Sequence, residues 1–101
     1  MAYNLTHARH ICSKDELKIF KASTPGEIGQ LTSSELQNLI KRSRDLRDKN
    51  RDLYRRQSIS IAQSAGTKRG KSNRANERTK QKDKLFTEVL QRFEQERDRR
   101  I

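Results

Sequence analysis

A heptad pattern of leucines within residues 32–63 is the feature that most limits how this chain can fold. Leu39, Leu46 and Leu53 recur at seven-residue intervals. The other seam positions of the same heptad hold Leu36, Ser43, Asn50 and Gln57. Apolar and small residues at this spacing share one face of an α-helix, and the charged residues between them take the opposite face. The pattern therefore predicts one long amphipathic helix, with a basic outer face, in the segment 32–65.

Asn50 raises the question of whether the apolar face pairs with a second chain or with helices of the same chain. In two-stranded coiled coils, a buried polar residue at a seam position fixes the register and the number of partners. The stripe is short, however, and most helices of this length are stabilised by packing against the rest of their own domain. We therefore predict a monomer, with a homodimer as the alternative.

Three capping-box sequences indicate that the N-terminal third forms several short helices. They run from Ser13 to Glu16, from Thr24 to Glu27 and from Thr32 to Glu35. In such a box the Ser or Thr side chain accepts the amide of the Glu, whose carboxylate accepts the first residue's amide. Pro25 suits the first position of a helix, and Asn4 or Thr6 is a suitable cap for a still earlier helix. Residues 1–31 are thus predicted to form a cap of short helices.

The C-terminal quarter has a second apolar stripe. Its members, at spacings of three and four, are Leu85, Phe86, Val89, Leu90 and Phe93. This spacing predicts a last helix within residues 77–101, packed antiparallel on the long helix. Residues 94–100 are almost all charged and are expected to project or fray. The predicted fold class is all-α, a long antiparallel helical hairpin capped by short N-terminal helices, in one domain and without strands.

Residues 66–76 separate the two long helices and are predicted to form a flexible basic loop. The segment contains two glycines, two asparagines and four bases, with no large apolar residue. Its glycines do not match a phosphate-binding loop, because Gly66 and Gly70 are one residue too close and no apolar strand precedes them. A nucleoside triphosphate site is therefore not expected.

The positive charge is concentrated in the middle of the chain. The net charge is +11, and it comes from residues 41–56, with eight bases and three acids, and residues 66–82, with seven bases and one acid. The two ends of the chain are electrically balanced. A localised excess of this kind indicates a polyanionic partner, either nucleic acid or an acidic protein surface.

The first hypothesis is non-sequence-specific binding of RNA or DNA through residues 41–82. The candidate side chains are Arg44, Arg47, Arg51, Arg55, Arg56, Lys68, Arg69, Lys71, Arg74, Arg78, Lys80 and Lys82. Arginine predominates, and its planar guanidinium suits phosphate. The chain has only five aromatic residues, so base stacking is poorly supplied. The alternative is a helical adaptor, inhibitor or chaperone-like module that docks on an acidic partner.

Catalytic and metal-binding chemistry is not predicted. His7, His10 and Cys12 are of the types that bind zinc, but a structural zinc site needs four ligands and no second cluster exists in the sequence. The acids alternate with bases along helix faces, which is typical of surface ion pairs. We therefore expect no catalytic residue, no metal and no cofactor. A single cysteine, together with the absence of a membrane-spanning run or a signal-peptide core, favours a cytoplasmic protein without a membrane partner.

Overall fold

The computed structural model describes residues 4–63 and 69–101, with the side chains of residues 61–75 left out of account. This part of the chain contains helices and no strand, so the predicted all-α fold is confirmed. The helices are α1 (Leu5–Ile11), α2 (Lys14–Ala22), α3 (Pro25–Ile28), α4 (Ser33–Gln63) and α5 (Arg69–Arg100).

Helices α4 and α5 form the predicted antiparallel hairpin, and α1–α3 pack as short helices beside it. Three contacts between side chains define the register. They join Arg44 to Glu94 (3.6 Å), Arg51 to Asp83 (3.2 Å) and Ser58 to Asn76 (3.5 Å). In these contacts the residue number on α5 falls as the residue number on α4 rises, which shows that the two helices are antiparallel. The resulting molecule is elongated, measuring 52 × 23 × 20 Å.

Two of the three predicted capping boxes are complete. At the start of α2, the Ser13 amide donates to Glu16 Oε1 (2.7 Å) and the Glu16 amide donates to Ser13 Oγ (3.3 Å). At the start of α4, the amides of Thr32 and Glu35 make the same reciprocal bonds at 2.9 and 3.1 Å. These bonds satisfy amides that the first turn of a helix leaves unpaired, and they fix where each helix begins.

The remaining helix starts differ in one respect from the prediction. Pro25 occupies the first turn of α3 as expected, but Thr24 makes no side-chain cap there. Its hydroxyl instead donates to the Lys21 carbonyl at 2.7 Å, which closes the end of α2. Asn4 caps α1, since its Oδ1 accepts the His7 amide at 2.9 Å.

The hydrophobic core lies at one end of the hairpin. Its buried members are Ala8, Ile19, Phe20, Leu36, Ile40, Leu85, Phe86, Val89, Leu90 and Phe93. The predicted α5 stripe is thus entirely buried. The heptad leucines are less central than the pattern indicates, because Leu39 and Leu46 only flank the core and Leu53 is half-buried. The buried face of α4 instead follows the other seam row, in which Leu36, Ser43 and Asn50 are all buried, together with Ile40.

The seam residues Ser43 and Asn50 are buried where α4 faces α5. Asn50 Nδ2 donates to the Leu46 carbonyl at 2.8 Å, within its own helix. The Ser43 side chain is fully buried, and its hydroxyl has no hydrogen-bond partner in the part of the chain that the structure describes. Its burial therefore costs desolvation energy that no hydrogen bond offsets.

Replacing Ser43 by Ala is expected to raise the free energy of unfolding by about 1 kcal/mol, because it removes an unpaired buried hydroxyl and adds the best helix former. The shift in the urea midpoint measures the change. Asn50→Ala is a useful contrast, since it removes a hydrogen-bonded amide from the same seam and should not stabilise the chain. A clear loss of stability in Ser43→Ala would mean that the hydroxyl does have a partner.

The start of α5 corrects the predicted loop. The helix begins at Arg69, so residues 69–76 are its first two turns, and the predicted boundary at residue 77 is too late. Residues 66–68 of that loop lie outside the described residues. Gly70 and two asparagines weaken a helix by only about 1 kcal/mol or less each, while the interleaved Arg, Lys and Ala residues are good helix formers. The composition of residues 66–76 therefore predicted a longer loop between α4 and α5 than the structure has.

The charged C-terminal segment also differs from the prediction, because it does not fray. Helix α5 continues to Arg100, and Glu96 is buried with only 6% of its surface exposed. Arg100 Nε donates to Glu96 Oε2 at 2.7 Å, and Arg100 Nη2 donates to the Ile28 carbonyl at 3.2 Å. The bonds from Arg100 and Arg99 lower the pKa of Glu96. These contacts attach the last turn of α5 to α3.

Candidate nucleic-acid interface

The hairpin has an apolar end and a polar end. The apolar end contains the whole hydrophobic core described above. The other end, called here the basic arm, consists of residues 50–63 of α4 and residues 69–84 of α5. Among the described side chains of the basic arm, the buried ones are Asn50 and Thr79, both polar, while Ile59 is 54% exposed. The basic arm therefore extends from the core without burying a hydrophobic side chain of its own in the region described.

The basic arm carries most of the excess positive charge. Its sequence contains ten bases and three acids. The bases are Arg51, Arg55, Arg56, Arg69, Lys71, Arg74, Arg78, Lys80, Lys82 and Lys84. Because the two helices run side by side, bases that are far apart in sequence are brought to the same end of the hairpin.

Four of the five candidate arginines of α4 are engaged in ion pairs. The pairs are Arg44–Glu94 (3.6 Å), Arg47–Asp48 (2.9 Å), Arg51–Asp83 (3.2 Å) and Arg56–Asp52 (2.6 Å). Hydrogen bonds to Asp83, together with its charge, raise the pKa of Arg51. Surface pairs contribute about 0–1 kcal/mol. The side chains of Arg44, Arg51 and Arg56 are at least half exposed and stay accessible to a competing anion, whereas that of Arg47 is only 24% exposed. Arg55 is exposed and forms no ion pair with any described residue.

The candidates on α5 occupy several different environments. Arg78 is exposed and Lys80 is half-buried. Arg69, Lys71 and Arg74 belong to the first turns of α5, and Lys68 lies outside the described residues. Arg55, Arg78 and Lys80 thus lie on the basic arm, and the early start of α5 puts the candidates Arg69, Lys71 and Arg74 on the same helix as Arg78 and Lys80.

Lys82 differs from the other candidates because it holds two helices together. Its Nζ lies 3.0 Å from Glu16 Oε1, and the two side chains are only 22% and 13% exposed. Glu16 therefore accepts from both Lys82 on α5 and the Ser13 amide on α2. Burial acts to raise the pKa of Glu16, but the bonds from Ser13 and Lys82 outweigh it and the pKa lies below its usual value. We accordingly assign Lys82 to the packing of α2 on α5.

Replacing Glu16 by Gln is expected to lower the free energy of unfolding by about 1 kcal/mol at pH 7, since it removes a charge-assisted contact to Lys82. The pKa of Glu16 is lower in the folded chain than its ordinary 4.5. Its ionised form therefore stabilises the fold above about pH 4.5, and this contribution is lost as the pH falls further. Urea midpoints measured from pH 7 down to pH 3 should decline less steeply for Glu16→Gln than for the unchanged chain. Parallel declines would contradict the assignment.

Cys12 is a half-buried free cysteine close to Glu16. Burial, with the nearby Glu16 charge, raises the pKa of the Cys12 thiol to about 11. The thiol is therefore protonated at neutral pH and is a poor nucleophile. Within residues 4–63 and 69–101, no group of three or more His, Cys, Asp or Glu side chains is placed to hold a metal ion.

A cleft between α1 and α5 adds residues that sequence reasoning missed. It has a volume of about 440 Å³ and is lined by His7, His10, Ile11, Glu77, Lys80, Gln81 and Lys84. The sequence shows that His7 and His10 share a helix face, as do Lys80 and Lys84, because residues three or four apart are neighbours on a helix. Nothing in the sequence shows that the two faces meet. That juxtaposition depends on the packing of α1 against α5.

No helix in the described part of the chain is both long enough and apolar enough to cross a bilayer. Comparison of the chain with protein-family models, with curated proteins and with solved structures found no match. The functional argument therefore depends on the charge, burial and geometry of this chain's own residues.

Proposed function

We propose that this chain is a non-enzymatic, cytoplasmic binding protein that holds nucleic acid, RNA or DNA, along its basic arm with little sequence preference. The observation that supports the proposal most is the composition of the basic arm, with ten bases and three acids on a hairpin end that the core does not occupy. A positively charged surface that lies outside the hydrophobic core is suited to binding a large polyanion.

The dimensions of the basic arm suit a stretch of nucleic-acid backbone. Residues 50–63 of α4 span about 20 Å at the rise of an α-helix. One strand of B-DNA presents a phosphate about every 3.4 Å of helix axis, so the basic arm extends alongside roughly six phosphates. Arginine guanidinium groups can bind phosphate oxygens in a bidentate way, which favours the arginine-rich side of the hairpin.

The ion pairs on the basic arm are compatible with phosphate binding. The side chains of Arg51 and Arg56 are 50% and 69% exposed where they meet Asp83 and Asp52. A phosphate oxygen can compete with either carboxylate for its arginine, because at least half of each arginine side chain is exposed. The displaced acids still repel the ligand, so the arrangement favours moderate affinity that depends strongly on salt.

The aromatic residues explain why we propose low sequence preference. Phe20, Phe86 and Phe93 are buried in the core, and Tyr54 is half-buried on α4. The three phenylalanine rings are therefore unable to stack on a base, and Tyr54 alone would supply little of the stacking that usually holds unpaired bases. Contacts to phosphates position a nucleic acid without reading its sequence.

A salt titration tests the proposal. We expect log affinity for a duplex, measured by fluorescence anisotropy, to fall linearly with log salt with a slope of about −5 for six phosphate contacts. Duplexes of unrelated sequence should give the same affinity and the same slope. Failure to bind any RNA or DNA at low salt and micromolar protein would refute the proposal. It would favour the alternative, in which the basic arm docks on an acidic protein surface.

A further inference from the structure

We propose that the cleft between α1 and α5 is a phosphate subsite, in which His7, His10, Lys80 and Lys84 hold one phosphodiester group of a bound polynucleotide. This inference rests on the proposed function. It goes further by assigning a specific recess, and two residues outside the basic arm, to the interface.

The chemistry of the cleft walls supports an anionic ligand. His7 and His10 line it from α1, and Lys80 and Lys84 line it from α5. An imidazole has at least one N–H donor in either charge state, and each ammonium group has three. The Gln81 side chain adds an amide to the same recess. Glu77 is the acid among the lining residues, so cationic and neutral donors predominate.

The histidine wall is held in place by the core. Ala8, on the same short helix, is fully buried, and Leu5 and Ile11 pack against the core beside it. Asn4 fixes the first turn of α1 through its bond to the His7 amide. The apolar face of α1 therefore faces inward, and the histidines line the recess. A site whose donors are already placed loses less entropy when the ligand binds.

The size of the cleft favours a phosphate that belongs to a polymer. Its volume of about 440 Å³ lies within the usual range for ligand pockets and exceeds what an isolated phosphate ion needs. A backbone phosphate carries its neighbouring sugars into the recess and fills it better. Free phosphate presents the same oxygen atoms but lacks these contacts, so it should bind more weakly.

The cleft is continuous with the basic arm. Lys80 and Lys84 belong to both, and Arg78 lines an adjoining depression together with His10, Ile11, Glu77 and Gln81. A strand that contacts Arg78 therefore lies next to the cleft that Lys80 and Lys84 line. The N-terminal helix thereby becomes part of the binding surface, although the sequence around it is electrically balanced.

The two histidines are the only ones in the chain, so their ring signals report on this cleft and on the depression that adjoins it. Proton NMR of the unchanged protein, titrated with a short oligothymidylate, should shift both sets of imidazole signals with saturation. Inorganic phosphate should shift them only at much higher concentration. Equal responses at equal concentration would show that the recess recognises a free anion, which would overturn the assignment to a backbone phosphate.

Charge variants provide a second test on the intact chain. Replacing Lys80 and Lys84 by Gln should reduce the salt slope for a duplex by about 2, because each phosphate contact contributes about 0.9. The matched control replaces Lys18 and Lys21, two exposed lysines of α2, and should leave the slope unchanged. Glu77→Gln should tighten binding several-fold, since it removes the opposing charge. Circular dichroism checks that each variant keeps its helix content.

The outcomes separate this inference from the proposed function. If the protein binds nucleic acid but the histidine signals stay unmoved and the Lys80 and Lys84 variant behaves like its control, the subsite is wrong and the basic arm alone is the interface. If the protein binds no nucleic acid at all, the proposed function fails, and the subsite fails with it.

Discussion

Replacing Phe86 or Phe93 by Ala is expected to lower the free energy of unfolding by about 3–5 kcal/mol, enough to leave the chain largely unfolded. Both rings are completely buried on α5, in the cluster that also contains Leu36 and Ile40 of α4 and Phe20 of α2. Truncation leaves a cavity at the place where three helices meet. A core this small has few other contacts with which to compensate.

Thermal and urea unfolding followed by circular dichroism measure this effect. Ile59→Ala is the matched control, because it also truncates a large apolar side chain but at a position on the basic arm that is 54% exposed. We expect the control to change the free energy of unfolding by less than about 1 kcal/mol. Comparable losses for Phe86→Ala and Ile59→Ala would show that the core does not lie where the structure places it.

The fold was predictable where its determinants are local. Capping boxes at Ser13 and Thr32 involve residues three apart, and the stripe from Leu85 to Phe93 follows directly from helix geometry. Each of these signals specifies where a helix begins or which face it buries, whatever else the chain does. Two long amphipathic helices joined by a short connection then leave an antiparallel hairpin as the simplest arrangement.

The details that sequence reasoning missed depend on distant partners. The last turn of α5 is ordered because Arg100 reaches the Ile28 carbonyl, 72 residues away in sequence. Local composition could not show this contact, and a run of charges therefore looked like a frayed end. The heptad pattern likewise overstated Leu46 and Leu53, because the buried face of α4 follows Leu36, Ile40 and Ser43.

The candidate site shows the same division. The sequence shows which segments carry the excess positive charge. It does not show which acid each basic side chain pairs with in the fold. From the sequence, Lys82 could not be distinguished from the other candidate bases. In the fold its Nζ lies 3.0 Å from Glu16 Oε1. In the sequence, His7 and His10 were considered only as zinc ligands, whereas the fold places them in a cleft with Lys80 and Lys84. Charge content was therefore predictable, whereas the division between structural and accessible cations was not.

Replacing Arg69, Lys71 and Arg74 together by Gln is expected to reduce the salt slope for duplex DNA from about −5 to about −2, if all three contact phosphates. The same counterion argument predicts a loss of affinity of roughly several hundred-fold near 0.1 M salt. The three residues belong to the first turns of α5. Glutamine is nearly as good a helix former as Arg or Lys, so the helix itself should persist.

A control variant that loses the same three positive charges elsewhere shows whether a loss of affinity comes from the basic arm or from net charge alone. Lys14, Lys18 and Lys21 are exposed on α2, and their replacement by Gln removes the same three positive charges from the chain. If binding depended only on net charge, the two triple variants would weaken it equally. If the basic arm is the interface, the α5 variant should lose most of its affinity on every duplex tested, whereas the α2 variant should bind almost as the unchanged chain does. A result in which neither variant weakens binding would place the phosphates elsewhere on the molecule and remove the basic arm from the interface.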